Sequence, residues 1–186
     1  MIDLDHARAA LLGHLPADPT EAAHRDVMLR HLNHPAPFAR DTWDPGHFTA
    51  SAFVSSADGA HLLLVFHGKL HRWLQPGGHV DPTDPDLLAA ARREVREETG
   101  LDDDALEPGG ALLDLDVHSI PARRDDPEHL HLDVRFWLRA RPGVHAIAGS
   151  DARAVRWVTF DEITGPELQT DESVRRAVRT ITRRSP

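Results

Sequence analysis

Apolar residues recur at helical spacing in the first third of the chain, at Leu4, Ala7, Leu11 and Leu15. Pro16 ends that segment. Asp18-Pro19-Thr20-Glu21 starts a second helix: Asp is a good N-cap and Pro suits the first helical position. Glu21, three residues past the cap, is placed to reach back to it. Asn33-His34-Pro35-Ala36-Pro37 stops this helix, and the stretch 38–47, with Asp44-Pro45-Gly46 in it, predicts a linker or loop. From Phe48 the pattern changes. Thr49 to Ser56 is strand-like, Ala57-Asp58-Gly59 is a turn, and His61 to Phe66 is an apolar strand, so the pair predicts a hairpin. A short strand from Arg72 to Gln75 runs into a turn at Pro76-Gly77-Gly78. Asp84-Pro85 opens a helix, with Asp84 as its N-cap, and Gly100 closes it. Strands are predicted over 111–120, 129–140 and 154–160. A last helix begins near Asp171, with Val174, Ala177, Val178 and Ile181 forming one apolar stripe.

Length and composition limit what these elements can build. The chain has 186 residues, room for one domain and some extension. Hydrophobic residues at 40% and charged residues at 27% match globular averages and exclude disorder of the whole chain. The longest apolar run, Leu62 to Phe66, is too short for a membrane span. Asp3 and Asp5 stand where a signal peptide needs basic residues. A cytoplasmic protein is expected. With no cysteine, disulfides, Cys-ligated zinc, iron–sulfur clusters and cysteine nucleophiles are all excluded. The net charge of −9 disfavours non-specific nucleic-acid binding, and an anionic substrate needs a metal or a local arginine cluster to offset it. Lys69 is the sole lysine, a bias that a GC-rich bacterial genome produces. The 14 histidines show neither H-x₃-H nor H-E-x-x-H spacing, and are not read as one zinc site.

The chemistry concentrates in GGHVDPTDPDLLAAARREVREETGL, residues 77–101. On a helical wheel Leu88, Ala91 and Val95 make the core stripe, and Glu94, Glu97 and Glu98 lie beside it. Carboxylates about 6 Å apart, at an effective dielectric near 20, repel by about 3 kcal/mol per pair. A helix that needed only solubility would interleave cations. Arg93 and Arg96 offer partial neutralisation, which keeps a charged face laced with ion pairs as the alternative. Oxygen-only ligation suits Mg²⁺ or Mn²⁺.

This segment resembles the box of the Nudix hydrolase family. That box is a glycine, five residues, Glu, seven residues, Arg-Glu, an aliphatic residue, any residue, Glu-Glu, any residue, Gly and an aliphatic residue. Arg93-Glu94-Val95-Arg96-Glu97-Glu98-Thr99-Gly100-Leu101 matches its second half, and Pro76-Gly77-Gly78 its approach. The first half departs from it. One residue too many separates Gly78 from Arg93, and Asp84 stands where the first Glu belongs. With the N-cap role assigned to Asp84, it is left out of the site.

The resemblance implies an α/β fold: a Nudix-type α/β/α sandwich with a mixed sheet and a helical N-terminal extension. The implied division is 1–40 for the extension, 48–162 for the core, and 163–186 for a C-terminal helix packed on it. It implies metal ligation by Glu94, Glu97 and Glu98, with the Gly78 carbonyl as a further ligand for Mg²⁺ or Mn²⁺. Arg93 would position a catalytic glutamate, and Glu94 or Glu97 would orient or deprotonate water, with Glu128 as an outlying candidate base. The implied reaction is hydrolysis of a diphosphate linkage in a nucleoside diphosphate derivative or related compound. The alternative is a nucleotide-binding module without turnover.

Lys69 and Arg72 are candidate phosphate contacts. Trp73 is a candidate base stack or core residue. His129, His131 and Asp133 share one strand face by alternation and are candidates for lining the substrate pocket. Trp157 and Phe160 are assigned to the core. The expected partner is a small nucleotide or other diphosphate, with no nucleic acid and no membrane; a homodimer stays open. The absence of tyrosine, and Leu115 where the ADP-ribose type carries proline, argue against two substrate classes without choosing a third.

Overall fold

The computed structural model describes residues 2–123, 126–149 and 152–184. Seven strands form one mixed sheet: β1 (Gly46–Ser55), β2 (His61–His67), β3 (Arg72–Leu74), β4 (Gly77–His79), β5 (Ala111–Ile120), β6 (His129–Arg139) and β7 (Ala152–Thr159). The main order is β3-β2-β1-β6-β5, with β4 paired to β1 and β7 to β2. Only β1 and β6 run parallel among these pairs. Helices α1 (Leu4–Gly13), α2 (Pro19–His31) and α3 (Leu87–Thr99) share a core with one face of the sheet. Helices α4 (Phe160–Thr164) and α5 (Glu172–Arg184) cover the other. This is the expected α/β/α sandwich with a helical N-terminal extension. No helix among the described residues is long and apolar enough to cross a membrane.

The register of β1 against β6 determines what each face carries. His47, Thr49 and Ser51 pair with His131, Asp133 and Arg135, while Phe48, Ala50, Ala52 and Val54 pair with Leu132, Val134, Phe136 and Leu138. Alternation sends the second set to one face, where it packs with Ala90, Ala91 and Val95 of α3, Leu11 of α1, Met28 of α2 and Leu32 at the C-cap of α2. The opposite face is polar near the start of β1. Further along, Phe53, Leu62, Leu64, Leu113 and Val158 pack with Val174, Ala177, Val178 and Ile181 of α5, the stripe expected from its spacing. Arg176 of α5 also reaches Asp114 and Asp116, and the buried Arg135 bonds Asp114, Asp116 and Asp133.

Four local expectations change. Gly77–His79 is a strand rather than a turn, because Ala50 and its neighbours in β1 offer it a free edge. β1 begins at Gly46, so His47 leaves the expected loop. The N-cap of α3 is Asp86, which accepts from the Ala89 amide at 2.8 Å, not Asp84. α4 was not expected, although Thr159 and Glu162 form a complete capping box at its start.

The N-terminal helices hold a related surprise. Asp18 caps α2 as expected, accepting from the Glu21 amide at 2.9 Å. The Glu21 carboxylate is fully buried, and it reaches just past the cap, where Oε2 accepts from the Ala17 amide at 2.5 Å. It accepts from the Leu115 amide at 3.1 Å and meets His14 Nε2 at 2.6 Å. The cause is the sheet edge. β5 is an outer strand, and Glu21 accepts from its Leu115 amide while His24 Nδ1 meets the Leu115 carbonyl at 3.1 Å and the Val117 amide at 3.3 Å.

Candidate active site

α3 and β4 lie against each other and bring the two halves of the glycine-to-glutamate segment together. The Gly77 amide donates to Glu98 Oε2 at 3.0 Å. A Cβ on Gly78 would stand 2.6 Å from Glu94 Oε2, so only glycine allows the strand this close to the carboxylate. Gly100, at φ 68°, ends α3 in the left-handed conformation. Core packing of Leu87, Ala90, Ala91, Val95 and Thr99 sets the rotation of the helix, with Leu88 only partly buried, and leaves Glu94 and Glu98 half-buried and Glu97 exposed.

Arg93 organises the carboxylates. Its Nη1 donates to Glu94 Oε1 at 2.7 Å and to Glu97 Oε2 at 3.2 Å. Its Nε and Nη2 donate to the two oxygens of Asp84, each at 3.1 Å, and Nη2 also donates to the His79 carbonyl at 2.8 Å. Hydrogen bonding to Asp84, then to Glu94, holds the guanidinium more firmly protonated than a free arginine. Burial raises the Glu94 carboxyl above the ordinary glutamate value, and the Arg93 contacts only partly oppose it.

The three glutamates do not converge on one point as they stand: Glu94 is turned to Arg93 and Glu98 to the Gly77 amide. The donor set nevertheless fits a hard divalent cation. It is entirely oxygen, the glycine strand lies directly against Glu94, and Glu97 is exposed with a single 3.2 Å bond to Arg93.

The other expected residues divide. Lys69 and Arg72 are exposed at the β2–β3 turn, on an edge of the sheet. Trp73 packs in the α5-side core, edge-on to Phe66 at 5.4 Å, and Trp157 and Phe160 also pack into cores. Glu128 accepts from Ser119 Oγ at 2.8 Å. His129, His131 and Asp133 do share a face, but Asp133 is engaged with Thr49, Ser51, Gln75 and Arg135. On that face His129 and His131 join His47, His79 and His118, which the sequence reading had treated as scattered. Burial, reinforced by neighbouring histidines, lowers His47, brings His79 down to about 4 and His131 to about 2, so these rings are neutral at neutral pH.

Asp84 is the residue the sequence reading missed. Its signal was present in the acidic position of the box, but the adjacent Pro85 made a helix cap the better local explanation.

A mixed sheet between helices, with a glutamate helix packed on a glycine strand, defines the Nudix architecture. The NUDIX domain model matches residues 45–180, and the chain belongs to that family. Over 41 residues it is 51% identical to the asymmetrical bis(5'-nucleosyl)-tetraphosphatase of Mus musculus. That match spans 22% of this chain and 27% of the mouse protein. Among solved structures, the dihydroneopterin triphosphate pyrophosphohydrolase of E. coli aligns with a TM-score of 0.57 at 17% identity, covering 74% of this chain and 96% of its own. The NUDIX domain of Shewanella oneidensis NrtR, complexed with ADP ribose, aligns at 0.55 and 18% identity, covering 74% and 86%.

Proposed function

We propose that the protein is a pyrophosphohydrolase that uses Mg²⁺ or Mn²⁺ to cleave a phosphoanhydride bond in a nucleoside diphosphate derivative. The observation that carries this reading is the Asp84–Arg93–Glu94 linkage beside Gly78, which holds a half-buried carboxylate in a fixed orientation against the glycine strand. Glu97, Glu98, Glu94 and the Gly78 carbonyl would hold the cation. Bound there, it supplies charge neutralisation of the phosphates and of the departing oxygen.

The chain's own groups do the rest. Glu94, fixed by Arg93 and carrying a raised carboxyl pKa, takes a proton from water as its oxygen bonds to phosphorus. The bond from phosphorus to the bridging oxygen breaks, and that oxygen leaves on the second phosphorylated fragment. Arg93 keeps Glu94 oriented and Asp84 keeps Arg93 in place.

The test is phosphate release across nucleoside triphosphates, dinucleoside polyphosphates, ADP-ribose, NADH, nucleotide sugars and CoA, with Mg²⁺, Mn²⁺ or chelator. Metal-dependent turnover is expected on at least one class. Glu94→Gln and Glu98→Gln should each lower kcat by at least about a hundredfold with the fold retained. Near-wild-type turnover in both variants overturns the site. Nucleotide binding without turnover, read as a thermal shift, would establish the binding-module alternative.

A further inference from the structure

We propose that His47, His79 and His131 form a second metal site, selective for a borderline transition ion such as Zn²⁺, on the sheet face opposite the glutamates. The three residues come from β1, β4 and β6. Their ring centroids form a nearly regular triangle with sides of 5.1, 5.0 and 5.3 Å. One ring nitrogen from each lies within 4.8 Å of the other two. Tetrahedral zinc with bonds near 2.1 Å places its ligands about 3.4 Å apart, so rotation of the rings inward by about an ångström closes the site.

A second observation points to a ligand. His47 is fully buried, and its Nδ1 bonds the Thr42 carbonyl at 3.1 Å. A carbonyl only accepts, so Nδ1 carries the proton and Nε2 presents its lone pair. That Nε2 is buried and has no hydrogen-bond partner among the described residues. An imidazole oriented through Nδ1–H by a backbone carbonyl, with Nε2 bare, is the arrangement metal-binding histidines adopt. His129 walls the cluster, stacked on His47 at 5.1 Å and held by the Pro127 carbonyl at 2.8 Å. Trp43 closes the same side, edge-on to His129 at 4.6 Å. Three imidazoles leave a fourth position for water.

The two sites are separate in space and in chemistry. Gly78 faces Glu94 and its strand neighbour His79 faces Thr49 and His47, so the sheet divides them. All-nitrogen ligation selects Zn²⁺ or Co²⁺ over Mg²⁺, whereas the glutamates select the hard ion.

The test uses the full chain without a histidine tag, titrated with Zn²⁺ or Co²⁺ in a large excess of Mg²⁺. One equivalent of zinc per chain should survive gel filtration, and Co²⁺ should show the visible bands of a four-coordinate nitrogen site. His79→Ala and His131→Ala, with folding checked by circular dichroism, should each weaken zinc binding by at least tenfold, while Glu97→Gln retains it. No retained zinc in the wild-type chain overturns the site without reference to any variant. Undiminished zinc in both folded histidine variants overturns it equally, by assigning the ion elsewhere. Neither result bears on hydrolysis, which is read separately.

Discussion

Arg93 and Asp84 are bound side by side through two hydrogen bonds of 3.1 Å, across nine residues of chain. The loop that carries the extra residue lets Asp84 fold back onto α3, and there its carboxylate takes both Nε and Nη2 of the guanidinium. This two-point pairing fixes the plane of the arginine, which in turn directs Nη1 at Glu94 and Glu97.

Asp84→Asn should therefore lower turnover without removing any group that touches substrate. A drop of about tenfold or more in kcat with little change in KM is expected, because the loss falls on the orientation of Glu94. Asp84→Glu should recover part of the loss, and Asp84→Ala should not. Breaking this mostly buried pair should also cost roughly 3 kcal/mol of stability, measurable by urea denaturation. An unchanged kcat in Asp84→Asn would return the residue to a purely structural role.

Gly78→Ala tests the approach of β4 to α3. The added methyl would stand 2.6 Å from Glu94 Oε2, so the carboxylate must move. Metal-dependent turnover is expected to fall by at least about a hundredfold while the melting temperature changes little, since Glu94 is partly exposed and can rotate away. Titration of Mn²⁺ by electron paramagnetic resonance should show weaker binding in the same variant.

The buried Glu21 predicts an acid-sensitive attachment of the N-terminal helices. Burial alone would raise its carboxyl, but His14 and the amides of Ala17 and Leu115 outweigh it and hold it below the ordinary value of 4.5. A carboxyl lowered on folding contributes stability that is present above 4.5 and lost as pH falls below it through the folded value. Glu21→Gln should cost about 2 kcal/mol at neutral pH, and the gap from wild type should narrow in that acidic window. Denaturation curves between about pH 3 and pH 7 would measure it, and a gap independent of pH would refute the linkage.

How far the sequence could be read differs by element. Val174, Ala177, Val178 and Ile181 are buried because a 3.6-residue period states a helix face locally. The charge cluster of Glu94, Glu97 and Glu98 was legible for the same reason: spacing along one helix places side chains without help from the rest of the chain. Asp84 was misread because two local explanations competed, and the deciding contact, Arg93, depends on a loop path that no period encodes. Glu21 was legible only in part: Oε2 reaches back to the helix start, at the Ala17 amide, but the partners of Oε1, His14 and the Leu115 amide, are set by packing that no local pattern encodes.

What the sequence determined by itself was therefore the oxygen-rich helix, which follows from short-range periodicity, and, through the resemblance of residues 93–101 to the Nudix box, the class of fold. What only the tertiary structure decided was the company each side chain keeps across strands. His47, His79 and His131 are brought together by the parallel register of β1 with β6 and the antiparallel register of β4 with β1. A shift of one residue in either pairing would send those rings to the opposite face, because side chains alternate along a strand and register is a property of the assembled sheet.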